Sequence, residues 1–180
     1  MKRKNTLRNM VFSAMFITIG LLLPLLTGNI AEWGKSLCPM HLPVLICGAV
    51  CGWQWGMAVG FITPLLRSML FSMPIMYPTA VCMAFELAAY GLVIGLMLKC
   101  ISGRTDRLAS IYISLTVAML LGRVILGVAH FAMLGMFGTP YSWQVFVTSA
   151  FAQAVPAIVV QYAIVPPIIY AFGKYGGKRR

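Results

Sequence analysis

Residues 48–60 read GAVCGWQWGMAVG. Gly48, Gly52, Gly56 and Gly60 recur at every fourth residue, and Trp53 and Trp55 flank Gln54 at the centre. One reading is a single helix with a glycine stripe for close packing. The other is two short helices joined by a turn. The surrounding stretch, Met40–Phe71, is predominantly apolar, so the choice decides whether the chain crosses a membrane five times or six. As one helix its 32 residues reach about 48 Å at ~1.5 Å per residue, far beyond a hydrocarbon core of ~30 Å. As two helices it gives arms at about 41–52 and 56–71. These are short for a crossing, yet usable inside a bundle or where the bilayer thins.

The composition makes membrane crossings the right frame. Of the 180 residues, 61% are hydrophobic and 9% charged, where a soluble domain carries about 25% charged residues. A core this small cannot hide that much apolar surface, so the chain is expected to be an integral membrane protein. Its formal net charge is +11. Eleven of the fourteen basic residues fall into three clusters: Lys2, Arg3, Lys4 and Arg8; Lys99, Arg104 and Arg107; Lys174, Lys178, Arg179 and Arg180. Each cluster flanks an apolar stretch, which marks the cytoplasmic side of a membrane and argues against a nucleic-acid partner.

Charge placement then separates the two readings. Five crossings put the terminal clusters on opposite sides. Six crossings, at about 9–26, 41–52, 56–71, 79–98, 108–135 and 143–172, bring all three clusters to the cytoplasm. They also set Trp53 and Trp55 at the inner interface, where tryptophan is favoured. The expectation is one all-α transmembrane domain over residues 1–180, with both termini cytoplasmic. Gly52 and Gly56 are read as bracketing the turn, with Gly48 and Gly60 as packing points. The basic start and following apolar run look like a signal peptide, but no small-x-small cleavage site ends the run, so a retained first helix is expected.

Little in the chain points to catalysis. GNIAEWGKS, residues 28–36, is one residue too long between its glycines for a phosphate-binding loop and follows a helix instead of a strand. There are three acidic residues, two histidines, and no HExxH or GxSxG pattern. The five cysteines are an odd count without a CxxC pair, which suggests neither a disulfide frame nor a zinc site. The chain is therefore expected not to be an enzyme, and to hold no metal or cofactor.

Binding is better supported. Glu86, Arg67 and Arg123 fall within spans, where an ionisable group costs about 2.5–3.5 kcal/mol on insertion scales and usually faces the bundle interior or a wet cavity. Two readings stay open. Glu86 pairs with Arg123 or Arg67 and locks helices together, or the surplus positive charge receives an anionic group such as a carboxylate. Arg67 also has an outer interface within reach. Asn29, Trp33, His41, Tyr77, Trp143, Gln144 and Gln153 are candidate pocket residues, since small-molecule sites join aromatic walls to a few polar groups. Trp143 and Tyr77 serve equally well as interface anchors. His41 can simply open the second span, and His130 reads as a packing residue. On the first helix, Ser13, Ala14, Thr18 and Gly20 are small, and Ala14-x-x-x-Thr18 permits close approach of another helix.

Together these features resemble the S component, the substrate-binding subunit of energy-coupling factor (ECF) vitamin transporters. The likeness runs through nearly the whole chain. It is carried by LPVLICGAVCGWQWGMAVGFITPLLRSMLFSMP, residues 42–74, and TAVCMAFELAAYGLVIGLM, residues 79–97. The resemblance implies a multi-pass subunit in a bacterial cell membrane. Such a subunit binds a scarce water-soluble vitamin from outside, joins a transmembrane coupling (T) component and two ATPase subunits, and topples to deliver its cargo. ATP hydrolysis then belongs to the partners. The family's first-helix contact with the coupling protein maps to Ala14 and Thr18. Its ligand site maps to the region of Glu86, Arg123 and Gln153. The surplus arginine favours an acid such as pantothenate or folate, while a flavin or queuosine precursor stays open. The alternatives are a solitary permease for a vitamin or base precursor, and a membrane enzyme or structural protein.

Overall fold

The structure is a computed structural model that describes residues 2–27, 39–101, 106–135 and 155–176. Among the described residues the chain forms six α-helices. They are α1 (Lys2–Thr27), α2 (His41–Cys51), α3 (Trp53–Phe71), α4 (Val81–Ile101), α5 (Arg107–Gly135) and α6 (Val155–Gly176). A single π-helical turn, Met76–Ala80, leads into α4. Among the described residues three helical stretches are long and apolar enough to cross a membrane: Thr6–Leu25, Met76–Ile101 and Arg107–Met133. Helices suit that setting because each satisfies its backbone polar groups within itself. The outward faces of α1 and α5 carry exposed Leu7, Met10, Val11, Leu120, Val124 and Phe131, a surface made for lipid.

Gly52 breaks the apolar stretch in two. Its φ of 100° and ψ of 165° lie in a region essentially reserved for glycine. One residue suffices for the turn, because the Gly56 N–H already donates to the Gly52 carbonyl at 3.0 Å. This corrects the expected boundaries: α3 begins at Trp53 and not at residue 56, and Gly56 lies inside the helix instead of bounding the turn. The glycine stripe is nonetheless real. It is folded back on itself, so that Gly48 and Gly56 face each other and both face Gly91 of α4. A β carbon on Gly56 would overlap the Gly48 Cα and come within 2.8 Å of the Gly91 carbonyl oxygen. One on Gly95 would lie 2.6 Å from the Trp53 Cα. Lipid offers no hydrophobic drive between helices, so this close backbone approach supplies much of the packing.

The pairings show an up-and-down bundle. Asn9 meets Cys51 and Ser13 meets Cys47, so α1 and α2 are antiparallel. Gly56 against Gly91 and Gly95 against Trp53 make α3 and α4 antiparallel. Tyr90 against Gly122 and Cys82 against Met133 do the same for α4 and α5. Arg107 over Tyr170 and Thr116 on Tyr162 do so for α5 and α6. The start of α1, the Gly52 turn, the end of α4, the start of α5 and the end of α6 therefore share one end of the bundle, the turn end.

Helix α2 is the hub. Nine of its eleven residues are buried, and it packs on α1, α3, α4 and α6. Leu42 and Leu45 join Tyr90, Ile94, Leu115, Met119 and Val165 in one apolar cluster. Val44 and Cys47 join Phe16, Val59 and Leu87 in another. A helix only ~16 Å long tolerates this place because other helices, and not lipid, cover its sides.

Candidate functional site

Glu86 sits in the second turn of α4, away from the turn end. The antiparallel contact of α4 with α5 sets its neighbours. Tyr90 presses its ring onto Gly122, where any β carbon would collide with it. One turn earlier on α4, Glu86 comes within reach of the long Arg123 side chain. Arg123 Nη1 stands 3.4 Å from Glu86 Oε1. His41, the first residue of α2, places Nε2 3.7 Å from Glu86 Oε2. Tyr90 donates its hydroxyl proton to Oε1 at 2.8 Å. The His41 and Tyr90 rings lie 5.3 Å apart at 59°.

Burial gives this cluster its meaning. Glu86 is 2% exposed, His41 1%, Tyr90 1% and Arg123 7%. Charges this deep persist only when compensated and hydrogen-bonded. The carboxylate is well served, with one short hydrogen bond and cationic or aromatic groups on both oxygens. The guanidinium is not. It has five N–H donors in a fixed fork, its approach to Glu86 is longer than a well-formed hydrogen bond, and its Nε and Nη2 have no partner among the described residues. A buried donor without a partner costs about 1–3 kcal/mol, more when charged. The arrangement is thus a cation anchored on one edge and open on another, suited to a carboxylate or phosphate.

Gln161 of α6 is also 1% exposed, with neither amide atom hydrogen-bonded among the described residues. The contact of Thr116 with Tyr162 puts it about level with residue 116 of α5. That is ~10 Å along the axis from Arg123, toward the turn end. Ser114 of α5 is a third buried group whose oxygen lacks a partner among the described residues.

The structure brings together three of the sequence candidates: His41, Glu86 and Arg123. It answers which arginine accompanies Glu86. Arg67 is engaged elsewhere, donating from Nη1 to the Leu21 carbonyl at 2.8 Å and lying 5.5 Å over the Phe71 ring, so that it ties α3 to α1. Tyr77 stands apart and exposed, its hydroxyl donating to the Met133 carbonyl at 3.2 Å. Asn29, Trp33, Trp143, Gln144 and Gln153 lie outside the described residues. His130 is half-buried on α5, with Nδ1 3.1 Å from the Leu126 carbonyl. Tyr90, Gln161 and Ser114 went unnoticed in the sequence. Tyr90 carried a signal, since a tyrosine four residues after a mid-span glutamate shares its helix face.

The small residues of α1 divide by face. Ser13 and Gly20 turn inward, toward Cys47 and Thr63. Ala14 and Thr18 turn outward and help line a shallow apolar groove of about 500 Å³ with Met10, Val11, Met15 and Ile19. The Thr18 hydroxyl is spent on the Ala14 carbonyl at 3.0 Å, which leaves its methyl to the surface.

A family model described as ECF transporter, substrate-specific component, matches residues 8–169, a span that contains the Glu86–Arg123 cluster and the α1 groove. No curated protein matches the chain, and neither does any solved structure.

Proposed function

The chain belongs to the ECF transporter substrate-specific components, and from that premise we propose that it captures an anionic, water-soluble vitamin through Arg123. The membership makes it a transport subunit in a membrane, working with T and ATPase components on a small-molecule substrate. The six helices cross the bilayer in turn, with the turn end and its basic residues in the cytoplasm, as the positive-inside preference favours. The substrate enters from the opposite end, where Glu86 and Arg123 lie nearer.

The observation that carries the reading is the open edge of Arg123. Its Nε and Nη2 are buried and unpartnered among the described residues, and Glu86 holds the guanidinium from the other side. A carboxylate arriving there gains two charge-assisted hydrogen bonds in a fixed geometry and removes a buried deficit. Glu86, Tyr90 and His41 act as the positioning frame. Pantothenate fits best and folate next, because each carries a carboxylate. A flavin or queuosine precursor, carrying no carboxylate, would leave the edge unpaired. The coupling component docks on the α1 groove at Ala14 and Thr18, and two ATPase subunits supply the energy.

Calorimetric titration of the purified chain with pantothenate, folate, riboflavin and queuine tests this. A carboxylate vitamin should bind tightly and riboflavin and queuine, which carry no carboxylate, at least tenfold more weakly. Preference for riboflavin or queuine would overturn the anionic reading. Accumulation of substrate in cells lacking the ATPase partners would point to a solitary permease.

A further inference from the structure

The turn end of the bundle carries a second polar feature, remote from Glu86 and Arg123. There α1, the Gly52 turn and the end of α4 enclose a recess of about 320 Å³, lined by Thr6, Asn9, Trp53, Gln54, Trp55 and Lys99. Its walls are fixed in place. Asn9 donates from Nδ2 to the Cys51 carbonyl at 3.1 Å, and the Trp53 backbone packs against Gly95. Two indoles, two amides, a hydroxyl and an ammonium group thus surround one space.

The charge around the recess is one-sided. Lys99 lines it, and the Arg8 guanidinium lies within electrostatic reach of Cys51 at its edge. Arg107, at the same end but outside the recess, is instead engaged 5.7 Å over the Tyr170 ring. Against these, Asp106 is the one acidic residue described at this end. An anion is the ligand such a space favours.

We infer that the recess binds the phosphate-bearing headgroup of an anionic phospholipid. A free phosphate shares the chemistry, but the neighbouring surface favours a lipid. Past the recess α1 continues as an exposed apolar face, with Leu7, Met10 and Val11 each more than half exposed. While the subunit is free of its coupling component, acyl chains can lie along that face with the headgroup among Lys99, Asn9 and Gln54. Tryptophans belong at this depth of a bilayer, and basic pockets between membrane helices are a known way of holding anionic headgroups.

The test is native mass spectrometry on the full chain, delipidated in mild detergent and titrated with dioctanoyl-phosphatidylglycerol or dioctanoyl-phosphatidylcholine. One phosphatidylglycerol should bind in clear preference to phosphatidylcholine. Lys99→Ala should weaken it about fivefold, the effect of one lysine at an anionic surface. Trp55→Ala should weaken it too, and Arg107→Ala, at the same end but outside the recess, should have little effect. Equal binding of both lipids, or equal losses from Lys99→Ala and Arg107→Ala, would overturn the site. Displacement by millimolar inorganic phosphate would make it a free-anion site and overturn the lipid assignment. If Lys99→Ala spares lipid but weakens co-purification of the T and ATPase components, the recess is a protein interface and the inference fails. Vitamin binding at the other end serves as the folding control for every variant.

Discussion

Arg123 and Glu86 meet at 3.4 Å inside the bundle, and the contact satisfies the carboxylate more fully than the guanidinium. Tyr90 supplies Glu86 with a 2.8 Å hydrogen bond, while two guanidinium nitrogens have no partner among the described residues. The pair therefore locks α4 to α5 and still holds a cation in reserve. The helix lock and the anion site, alternatives in the sequence, are compatible in the fold.

The lock has a measurable consequence. Glu86→Ala strands a buried arginine, and breaking a buried pair from one side costs about 3–5 kcal/mol. Thermal unfolding in detergent should show a large loss for Glu86→Ala and a much smaller one when Arg123→Ala is added. Additive losses would mean the two side chains do not interact.

Tyr90→Phe keeps the ring on Gly122 and beside His41 but removes the hydroxyl. A hydrogen bond to a charged group is worth about 1.5–3 kcal/mol, and the variant should lose stability in that range. A loss as large as that of Glu86→Ala would instead indicate disturbed ring packing.

The glycines predict a contrast between neighbours. At Gly52 a β carbon meets nothing within 4 Å, so Gly52→Ala should cost only the backbone strain, about 1–3 kcal/mol. At Gly56 it meets backbone of both α2 and α4, which cannot yield as a side chain can. Gly56→Ala should be the more damaging in the same unfolding assay, and the reverse order would contradict the folded-back stripe.

How legible this was in the sequence follows from the same residues. The break near Gly52 could be read because one helix over Met40–Phe71 is too long for a bilayer. The role of Gly56 could not, because four-residue spacing is compatible with either a turn or a packing stripe, and only the antiparallel fold makes Gly56 face Gly48. Glu86 and Arg123 stood out because charge is rare at that depth. Their pairing depends on the register of α4 and α5, and the diversion of Arg67 to Leu21 on that of α1 and α3, which no local pattern encodes. Gln161 and Ser114 were hidden because a neutral polar residue in a span is ordinary until its surroundings show no partner.

The α1 groove predicts a separation of functions. Ala14→Trp or Thr18→Trp fills the outward face without touching Glu86 or Arg123. Co-purification with the T and ATPase components should fall sharply, while vitamin affinity stays within about twofold, under 0.5 kcal/mol. Intact assembly in both variants would place the docking surface elsewhere.

The central claim is that Arg123 holds an acidic substrate, and the small molecule retained by the purified chain tests it most directly. Wild-type protein, denatured after purification and examined by mass spectrometry, should release one acidic, water-soluble molecule in near-stoichiometric amount, and folded Arg123→Ala protein should release little or none. Release of a neutral molecule, or of the same acid in equal amount from the variant, would contradict the account.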